Sequence, residues 1–341
     1  MGADSEITSQ IEALTAALGD THRGESEKRQ MLRLISSATN LVSGDSSALD
    51  IKIASMALQE MTQAFEMFAP YRESKKVTIF GSARITPDNP IYSLTVQTAK
   101  ALANAGYMVV TGAGPGLMEA GMLGAGRENS IGVSIRLPFE TSANSVIAGD
   151  EKYVSMRYFF TRKLMLVKES HAFLCMPGGF GTLDETFELL TLAQTAKSVP
   201  VPIVFLEVQG DPFWTPLMNT MEPLLKNHGL ISSSDTSLYR ITDSIDSAVS
   251  EITDFYSNYH SIRFVRNRLY IRMRREIPPS DFSALVHQFG HLTLDGDIRQ
   301  SSPSDDEIKD KDNLELFRVS LMYSAKGFAD LRPLINVINR Y

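Results

Sequence analysis

Cysteine is almost absent from the sequence: Cys175 is the only one among 341 residues. A single cysteine allows neither an intrachain disulfide nor a cysteine-based metal cluster within one chain. Positive charge is also scarce, because 33 Lys and Arg stand against 40 Asp and Glu, which leaves a formal net charge of -7. Bulk attraction to nucleic acid or to an acidic membrane is therefore not expected.

Long apolar runs and targeting signals are missing as well. No stretch is apolar over the roughly 20 residues that a membrane-spanning helix needs. The first residues, MGADSE, lack the basic start and apolar core of a signal peptide. They also miss the myristoylation pattern, because the sixth residue is Glu6. We therefore expect a cytoplasmic globular protein, with no membrane and no nucleic-acid partner.

The sequence does contain a regular alternation of strands and helices between residues 75 and 258. Short apolar runs such as KVTIF, YMVVT, AFLCM and VPIVFLE are separated by amphipathic stretches of helical length. This alternation predicts an α/β domain with a doubly wound parallel sheet. Residues 1–74 are predicted to form an N-terminal helical extension, with a helix from Ala48 to Phe68 that Pro70 ends.

Residues 259–341 have a different pattern. RLYIRMRRE alternates apolar and polar positions, as a strand with one solvated face does. Two helices and two further strands follow, separated by SSPSDDEIKDKD, which we interpret as a polar, acidic loop. The order strand, helix, strand, strand, helix predicts a small α+β accessory domain of ferredoxin-like order. The arginines mixed with aromatics could also face RNA, an anionic effector or another subunit, but a solvated strand face is the preferred interpretation.

Two glycine loops follow predicted strands: TGAGPGLMEA at 111–120 and PGGFGTLDE at 177–185. Strand ends at one edge of a doubly wound sheet form a ligand crevice, and each loop opens a helix whose N-terminus favours an anion. Either loop alone is as readily explained as a simple turn, whereas two at equivalent strand ends favour a phosphorylated ligand. Neither matches G-x-G-x-x-G or a P-loop, so classical dinucleotide binding and phosphoryl transfer from ATP are poorly supported.

Charged residues adjoin the second loop. Glu185 would be repelled by a phosphate, so it is expected to address another part of the ligand, with a ribose as the spacer. Alternatively a carboxylate stabilises the helix N-terminus, a role that suits Asp184 better. Arg162 and Lys163, on the preceding helix, could pair with Glu185, bind phosphate or face solvent. Cys175 lies in a buried-type strand and is expected to pack rather than react.

The motifs FGSAR, TGAGPGLMEA, IGVSIRLPFE and RYFFTRKLMLVKESHAFLCMPGGFGTLDETFELLTLAQT resemble the LONELY GUY (LOG) family, formerly labelled lysine decarboxylases. Its pattern P-G-G-x-G-T-x-x-E is matched in full from Pro177 to Glu185, and the resemblance runs from about Val77 to Tyr256. The sequence shows no Ser-x-His-Lys motif of a cofactor-binding lysine. Phe159–Thr161 stand where many plant-type members have Met-His, which places the chain with longer bacterial relatives.

The resemblance implies a Rossmann-like fold and a cofactor-free phosphoribohydrolase that converts a nucleoside 5′-monophosphate, of the AMP or cytokinin ribotide type, into free base and ribose 5-phosphate. It implies a homodimer or larger assembly without a metal. A non-catalytic nucleotide sensor on the same fold is the alternative. Arg162 and Glu185 would be catalytic, and the substrate would contact Ser82, Gly114, Gly116, Glu140, Lys163, Gly178, Gly179, Gly181 and Thr182.

Overall fold

A computed structural model describes residues 25–136, 143–324 and 328–341, together with Ser9, Ala13 and Ala16. The chain divides into two compact units, Met1–Gln63 and Ala64–Tyr341. The first unit contains helix α1, Glu25–Ser43, and most of helix α2, Ala48–Phe68. Helix α2 has the predicted bounds. The carboxylate of Asp50 accepts hydrogen bonds from the Ser47 amide (2.9 Å) and hydroxyl (2.7 Å), which stabilises its N-terminus.

A seven-stranded parallel sheet lies in the second unit, in the order β4-β3-β2-β1-β5-β6-β7. Strands β1, β2, β5 and β6 are buried along their whole length, as strands covered by helices on both faces must be. The α/β, Rossmann-like prediction is confirmed. The strands are β1 Lys76–Phe80, β2 Met108–Thr111, β3 Ser130–Ile135, β4 Tyr153–Met156, β5 Ala172–Cys175, β6 Ile203–Leu206 and β7 Arg240–Thr242; the helices are α3 Pro90–Asn104, α4 Leu117–Ala125, α5 Phe159–Lys168, α6 Phe180–Gln194, α7 Trp214–Asn227 and α8 Ile245–Asp254.

The strand order reverses between β1 and β5. Strand β1 pairs with β2 on one side and with β5 on the other, with Ile79 opposite Leu174 and Phe80 opposite Cys175. The chain segments that leave β1 and β5 therefore run to opposite sides of the sheet, which opens a crevice at their carboxyl ends. Both glycine loops begin at this edge, so the fold brings them together.

The C-terminal part forms a separate four-stranded antiparallel sheet, β10-β11-β9-β8. This confirms a small C-terminal α+β domain. Its elements are β8 Tyr259–Val265, β9 Arg268–Met273, α9 Pro279–Phe289, β10 Thr293–Gln300, α10 Asp305–Asp310, β11 Phe317–Tyr323 and α11 Leu331–Ile338.

The observed order is not ferredoxin-like, because strand β8 precedes β9. Apart from the short α10, the chain therefore makes two successive strand–strand–helix units. The hairpin between β8 and β9 turns over Arg266 and Asn267, with Val265 opposite Arg268 and Arg266 in the left-handed region at φ 54°. The turn contains neither glycine nor proline, so the usual sequence signal of a two-residue hairpin is missing.

The predicted solvated face of β9 is wrong at Arg272, which is buried together with Arg318 of β11, whereas Arg268 and Tyr270 on the same face are partly exposed. Arg272 and Arg318 are only 4% and 1% exposed, and both contact the fully buried Glu307, at 2.7 and 3.3 Å. Glu307 belongs to α10, a helix where the sequence predicts a loop. Ser304 and Glu307 form a reciprocal capping box that starts this short helix. The acidic helix covers Arg272 and Arg318, so these two arginines do not face solvent.

The C-terminal sheet packs on the last elements of the α/β region. Phe255 and Tyr259 share an apolar cluster with Ile271 and Ile335. The Asn339 side-chain oxygen accepts a hydrogen bond from the Tyr259 amide at 2.7 Å, which fixes the end of α11 to the connecting segment. The core of the C-terminal sheet therefore extends onto the end of the α/β region.

Candidate functional site

A cleft of about 1050 Å³ opens at the carboxyl edge of the parallel sheet. The loops after β1, β2 and β5 line it, together with the end of β3 and the first turns of α5 and α6. The cleft brings together eight of the predicted site residues: Ser82, Gly114, Arg162, Gly178, Gly179, Gly181, Thr182 and Glu185.

Backbone hydrogen bonds tie the three loops to one another. The Ser82 amide donates to the Pro177 carbonyl (3.2 Å), and the Ser82 carbonyl accepts from the Leu117 amide (3.0 Å). Gly116 makes this approach possible, because a Cβ there would lie 2.5 Å from the Ser82 oxygen and its φ is +69°. Gly116 thus supports the loops from behind and does not line the cleft.

The second glycine loop leads into α6, which starts at Phe180 with Gly179 as its N-cap and without a side-chain cap. Added Cβ atoms at Gly179 and Gly181 would meet nothing within 4 Å. At Gly178 a Cβ would lie 2.1 Å from the Thr182 hydroxyl, so the buried threonine folds back against the loop. An open, uncapped helix N-terminus of this kind suits an anion such as phosphate.

Glu185 and Asp184 occupy different environments on the first turns of α6. The Asp184 side chain is 65% exposed and lies 2.7 Å from Lys163 Nζ, whereas the Glu185 side chain is 10% exposed and lies 3.7 Å from the same nitrogen. Burial raises the pKa of Glu185 above its ordinary value, although Lys163 and Arg162 act in the opposite direction. Glu185 is therefore a buried carboxylate at the cleft, with two cations nearby.

Lys163 is held behind Glu185 rather than in the cleft. Burial alone would lower its pKa, but hydrogen bonds to Asp184 and Glu188, the latter at 2.7 Å, raise it above the ordinary value. Lys163 therefore stays charged and is fixed from three sides by carboxylates of α6. That geometry supports a role in positioning Glu185.

Arg162 approaches the cleft from the first turn of α5. Its Nε donates to the Val133 carbonyl at 3.0 Å, and a Cβ on Gly112 would lie 2.2 Å from its Nη2. The guanidinium therefore packs against Gly112, a residue that the sequence analysis did not select although the alternating glycines offered the signal. Within the described part of the chain, Arg162 makes no ion pair with Glu185 at 4 Å or less. Burial lowers the pKa of Arg162 below its ordinary value, and the charge of Glu185, beyond ion-pair distance, offsets only part of this effect.

Glu140 lies outside the described residues. Cys175 is fully buried, and burial raises its pKa to about 12, so the packing interpretation is confirmed. Cleft residues that sequence reasoning missed include Arg84, Gly112, Ser134, Arg136, Tyr153, Phe159, Phe180 and Phe213.

Comparisons with known proteins agree with the motif. The family model described as possible lysine decarboxylase matches residues 116–252. The Arabidopsis thaliana cytokinin riboside 5′-monophosphate phosphoribohydrolase LOG1 is 28% identical over 149 residues, which cover 43% of this chain and 66% of that protein. A rice (Oryza sativa subsp. japonica) protein named probable cytokinin riboside 5′-monophosphate phosphoribohydrolase LOGL3 is 30% identical over 143 residues, covering 41% and 64%. The matched segments span roughly half to two thirds of such relatives.

Solved structures are similar over about half of the chain. The molybdenum cofactor carrier protein of Chlamydomonas reinhardtii aligns with a TM-score of 0.36 at 17% identity, over 52% of this chain and 95% of that one. The DNA processing protein A of Helicobacter pylori aligns with a TM-score of 0.36 at 19% identity, over 52% and 79%.

No cluster of three or more His, Cys, Asp or Glu among the described residues is arranged to hold a metal ion. None of the helices in the described ranges has the length and apolarity to cross a membrane. Over residues 116–252, the sequence matches and the complete P-G-G-x-G-T-x-x-E motif at the cleft make this chain similar to the LONELY GUY (LOG) family.

Proposed function

We propose that the chain is a phosphoribohydrolase that cleaves the N-glycosidic bond of a nucleoside 5′-monophosphate. One observation carries the proposal: a buried carboxylate, Glu185, lies on the first turns of a helix whose glycine-rich N-terminus is open and uncapped. The three residues from Thr182 to Glu185 correspond to about 4.5 Å of helix. A phosphate at the loop would therefore leave the ribose, and not a second phosphate, beside the carboxylate.

The proposed chemistry follows from this separation. Cleavage of an N-glycosidic bond passes through an oxocarbenium-like ribose. The phosphate is the anchor, and its binding energy is available for the reaction at C1′. Glu185 stabilises the developing positive charge, or accepts a proton from the water that attacks C1′. The C1′–N bond breaks as the hydroxyl of the water bonds to C1′, the other proton of that water passes to the leaving base through Glu185 or solvent, and ribose 5-phosphate remains on the loop.

Arg162 and Lys163 have separate roles in this scheme. Nη2 of Arg162 lies against Gly112, and neither terminal nitrogen has a hydrogen-bond or ion-pair partner in the described ranges, so both are available to the substrate. Lys163 contacts three carboxylates of α6 and holds Glu185 in place. Arg162 is therefore proposed as a substrate contact and Lys163 as a positioning residue.

The substrate is proposed to be AMP or a cytokinin ribotide, in keeping with the printed names of the plant relatives. Phe159, Phe180 and Phe213 line the cleft and offer aromatic surface to a base. A homodimer or larger assembly is also proposed. Phe159, Phe160 and Leu164 leave an apolar face on α5, with 57%, 55% and 46% of each residue exposed.

The test is incubation of the purified protein with purine and pyrimidine monophosphates, their nucleosides and ribose 5-phosphate, with chromatography of the free base. We expect cleavage of at least one monophosphate and much weaker cleavage of its nucleoside, because the phosphate is the anchor. Equal cleavage of the nucleoside would refute the mechanism. Tight binding of a monophosphate without any release of base would instead favour the nucleotide sensor.

A further inference from the structure

A second cleft, of about 550 Å³, lies at the opposite edge of the parallel sheet. Lys76 begins β1 and His171 immediately precedes β5, so the cleft adjoins the amino ends of the two strands whose carboxyl ends form the first cleft. Its lining includes Phe65, Arg72, Lys76, Lys168, Glu169 and His171, all within the unit Ala64–Tyr341. Neither the proposed reaction nor the LOG motif involves this cleft.

Lys76 is the unusual member of the lining. The residue is 1% exposed, and its ammonium donates to the Ser74 carbonyl at 3.0 Å. No carboxylate oxygen of the described chain lies within 4 Å of that nitrogen. Burial lowers the pKa of Lys76 below its ordinary value, and the charge of Glu169 offsets only part of this effect. A buried ammonium without an anion is costly, which favours a ligand that supplies one.

The charges around Lys76 are unbalanced. Arg72, Lys76 and Lys168 are cationic, whereas Glu169 is the one carboxylate of the lining, so the cleft carries a net charge of about +2. Lys168 pairs with Glu169 and also lies 5.2 Å from the centre of the Phe65 ring. The exposed Arg72 guanidinium has no side-chain partner in the described ranges.

His171 adds a neutral hydrogen-bond donor. Burial, together with Lys76 and Lys75, lowers its pKa to about 4, so the ring is uncharged at neutral pH. Its Nδ1 accepts a hydrogen bond from the Lys76 amide at 3.3 Å, which places the remaining ring proton on Nε2. Within the described residues, Nε2 has no hydrogen-bond partner.

We propose that this cleft binds a small phosphorylated metabolite through its phosphate group. A phosphate monoester carries about -1.5 to -2 charges at neutral pH, which matches the excess positive charge, whereas one carboxylate would neutralise only half of it. Lys76 supplies the buried cation, Arg72 a cation at the rim, and His171 a neutral donor. Phe65 and Phe68 provide apolar wall for the remainder of the molecule.

Isothermal titration calorimetry of the full chain with inorganic phosphate and pyrophosphate tests the proposal. The first cleft must be closed to these probes, so the reference protein carries Gly181→Asp, which puts a carboxylate into open space at the glycine loop. Lys76→Met and Arg72→Glu are made in this reference. Arg240→Glu is the matched control, since Arg240 is exposed on β7, three strands from β1.

We expect the reference protein to bind at least one probe, with Lys76→Met and Arg72→Glu each weakening binding at least about tenfold, as loss of a charged hydrogen bond does. Arg240→Glu should bind within about twofold of the reference, because at that distance from β1 screening removes most of its effect. If Lys76→Met disturbs folding, the test rests on Arg72→Glu, because Arg72 is exposed. No binding by the reference, or equal binding by the Arg72 variant, would overturn the proposal.

Discussion

Replacing Glu185 by glutamine should lower turnover and raise stability, because the change removes one buried charge and keeps the shape of the side chain. We expect turnover to fall by about a hundredfold to ten-thousandfold, the range for a positioned acid–base group. This corresponds to roughly 3 to 5 kcal/mol of transition-state stabilisation. Binding of the monophosphate should change little, since the phosphate loop is untouched.

The effect of the same change on stability follows from two opposing terms. Lys163 Nζ lies 3.7 Å from the Glu185 carboxylate, which gives a gross attraction of about 4 kcal/mol at an effective dielectric constant of about 20. Removing the carboxylate from water costs several kcal/mol. The raised pKa of Glu185 shows that burial outweighs the cations.

A carboxylate with a raised pKa binds its proton more tightly in the folded state than in the unfolded state. The stability of the wild type therefore falls as pH rises from the unfolded to the folded pKa, and ionised Glu185 destabilises the fold at neutral pH. Glu185→Gln removes this cost without stranding Lys163, which keeps Asp184 and Glu188. We expect Tm to rise by about 1 to 4 °C, as roughly 1 kcal/mol does in a chain of this size.

Steady-state release of base and thermal unfolding should be measured on the same preparations. Glu188→Gln is the matched control, because Glu188 lies one turn further along α6, contacts the same Lys163 and is outside the cleft. That variant should keep turnover within about threefold. Near-normal turnover in Glu185→Gln would place the chemistry elsewhere. A fall in Tm of several degrees would show that Glu185 is a structural ion-pair partner, which would refute the reasoning.

Three further predictions concern other parts of the structure. Lys163→Met should move the acid limb of the kcat/KM profile to higher pH, since loss of the cation raises the pKa of Glu185 further; an unmoved limb would show that Lys163 does not act through Glu185. Gly116→Ala should destabilise the protein by about 2 to 4 kcal/mol in urea unfolding, from its positive φ and the contact with Ser82. Gly126→Ala, at φ +78° in open space, should lose only the part of this free energy of unfolding that comes from the positive φ. Equal losses in the two variants would show that the contact of a Cβ at position 116 with Ser82 does not contribute. Light scattering at micromolar concentration should show a dimer or larger species, and monomers alone would contradict the proposed assembly.

Much of the α/β sheet could be predicted because its strands are short, apolar and separated by amphipathic helices. Strands β4 and β7 were not predicted. Both are edge strands in the sheet order, and the β7 residues are only partly buried. In the C-terminal domain, the polar face of β9 was recognised, but what covers it was not. Arg272 and Glu307 are 35 residues apart, and local periodicity carries no information about such a pair.

In the candidate site too, features formed by consecutive residues could be predicted, whereas contacts between residues far apart in the sequence could not. The loop from Gly178 to Glu185 could be recognised because its glycines, threonine and carboxylate are consecutive. The contact of Arg162 with Gly112 could not be recognised from the sequence, because it depends on how far α5 lies from the end of β2. Sequence reasoning left pairing with Glu185 and direct substrate contact both open for Arg162. The geometry favours substrate contact, with Lys163 as the nearer cation to Glu185.

The two clefts lie at opposite ends of the same pair of strands. Strand β1 begins with Lys76 at the basic cleft and leads, by way of Gly81, to Ser82 at the cleft proposed as catalytic. Helix α5 also joins the two clefts, in the opposite chain direction: its first turn carries Arg162 at the first cleft, and its last residue is Lys168 at the basic cleft. Close-packed elements such as these transmit small displacements along their length rather than absorbing them. A phosphate bound at the amino edge would therefore act on the backbone segments that hold the phosphate loop and Arg162.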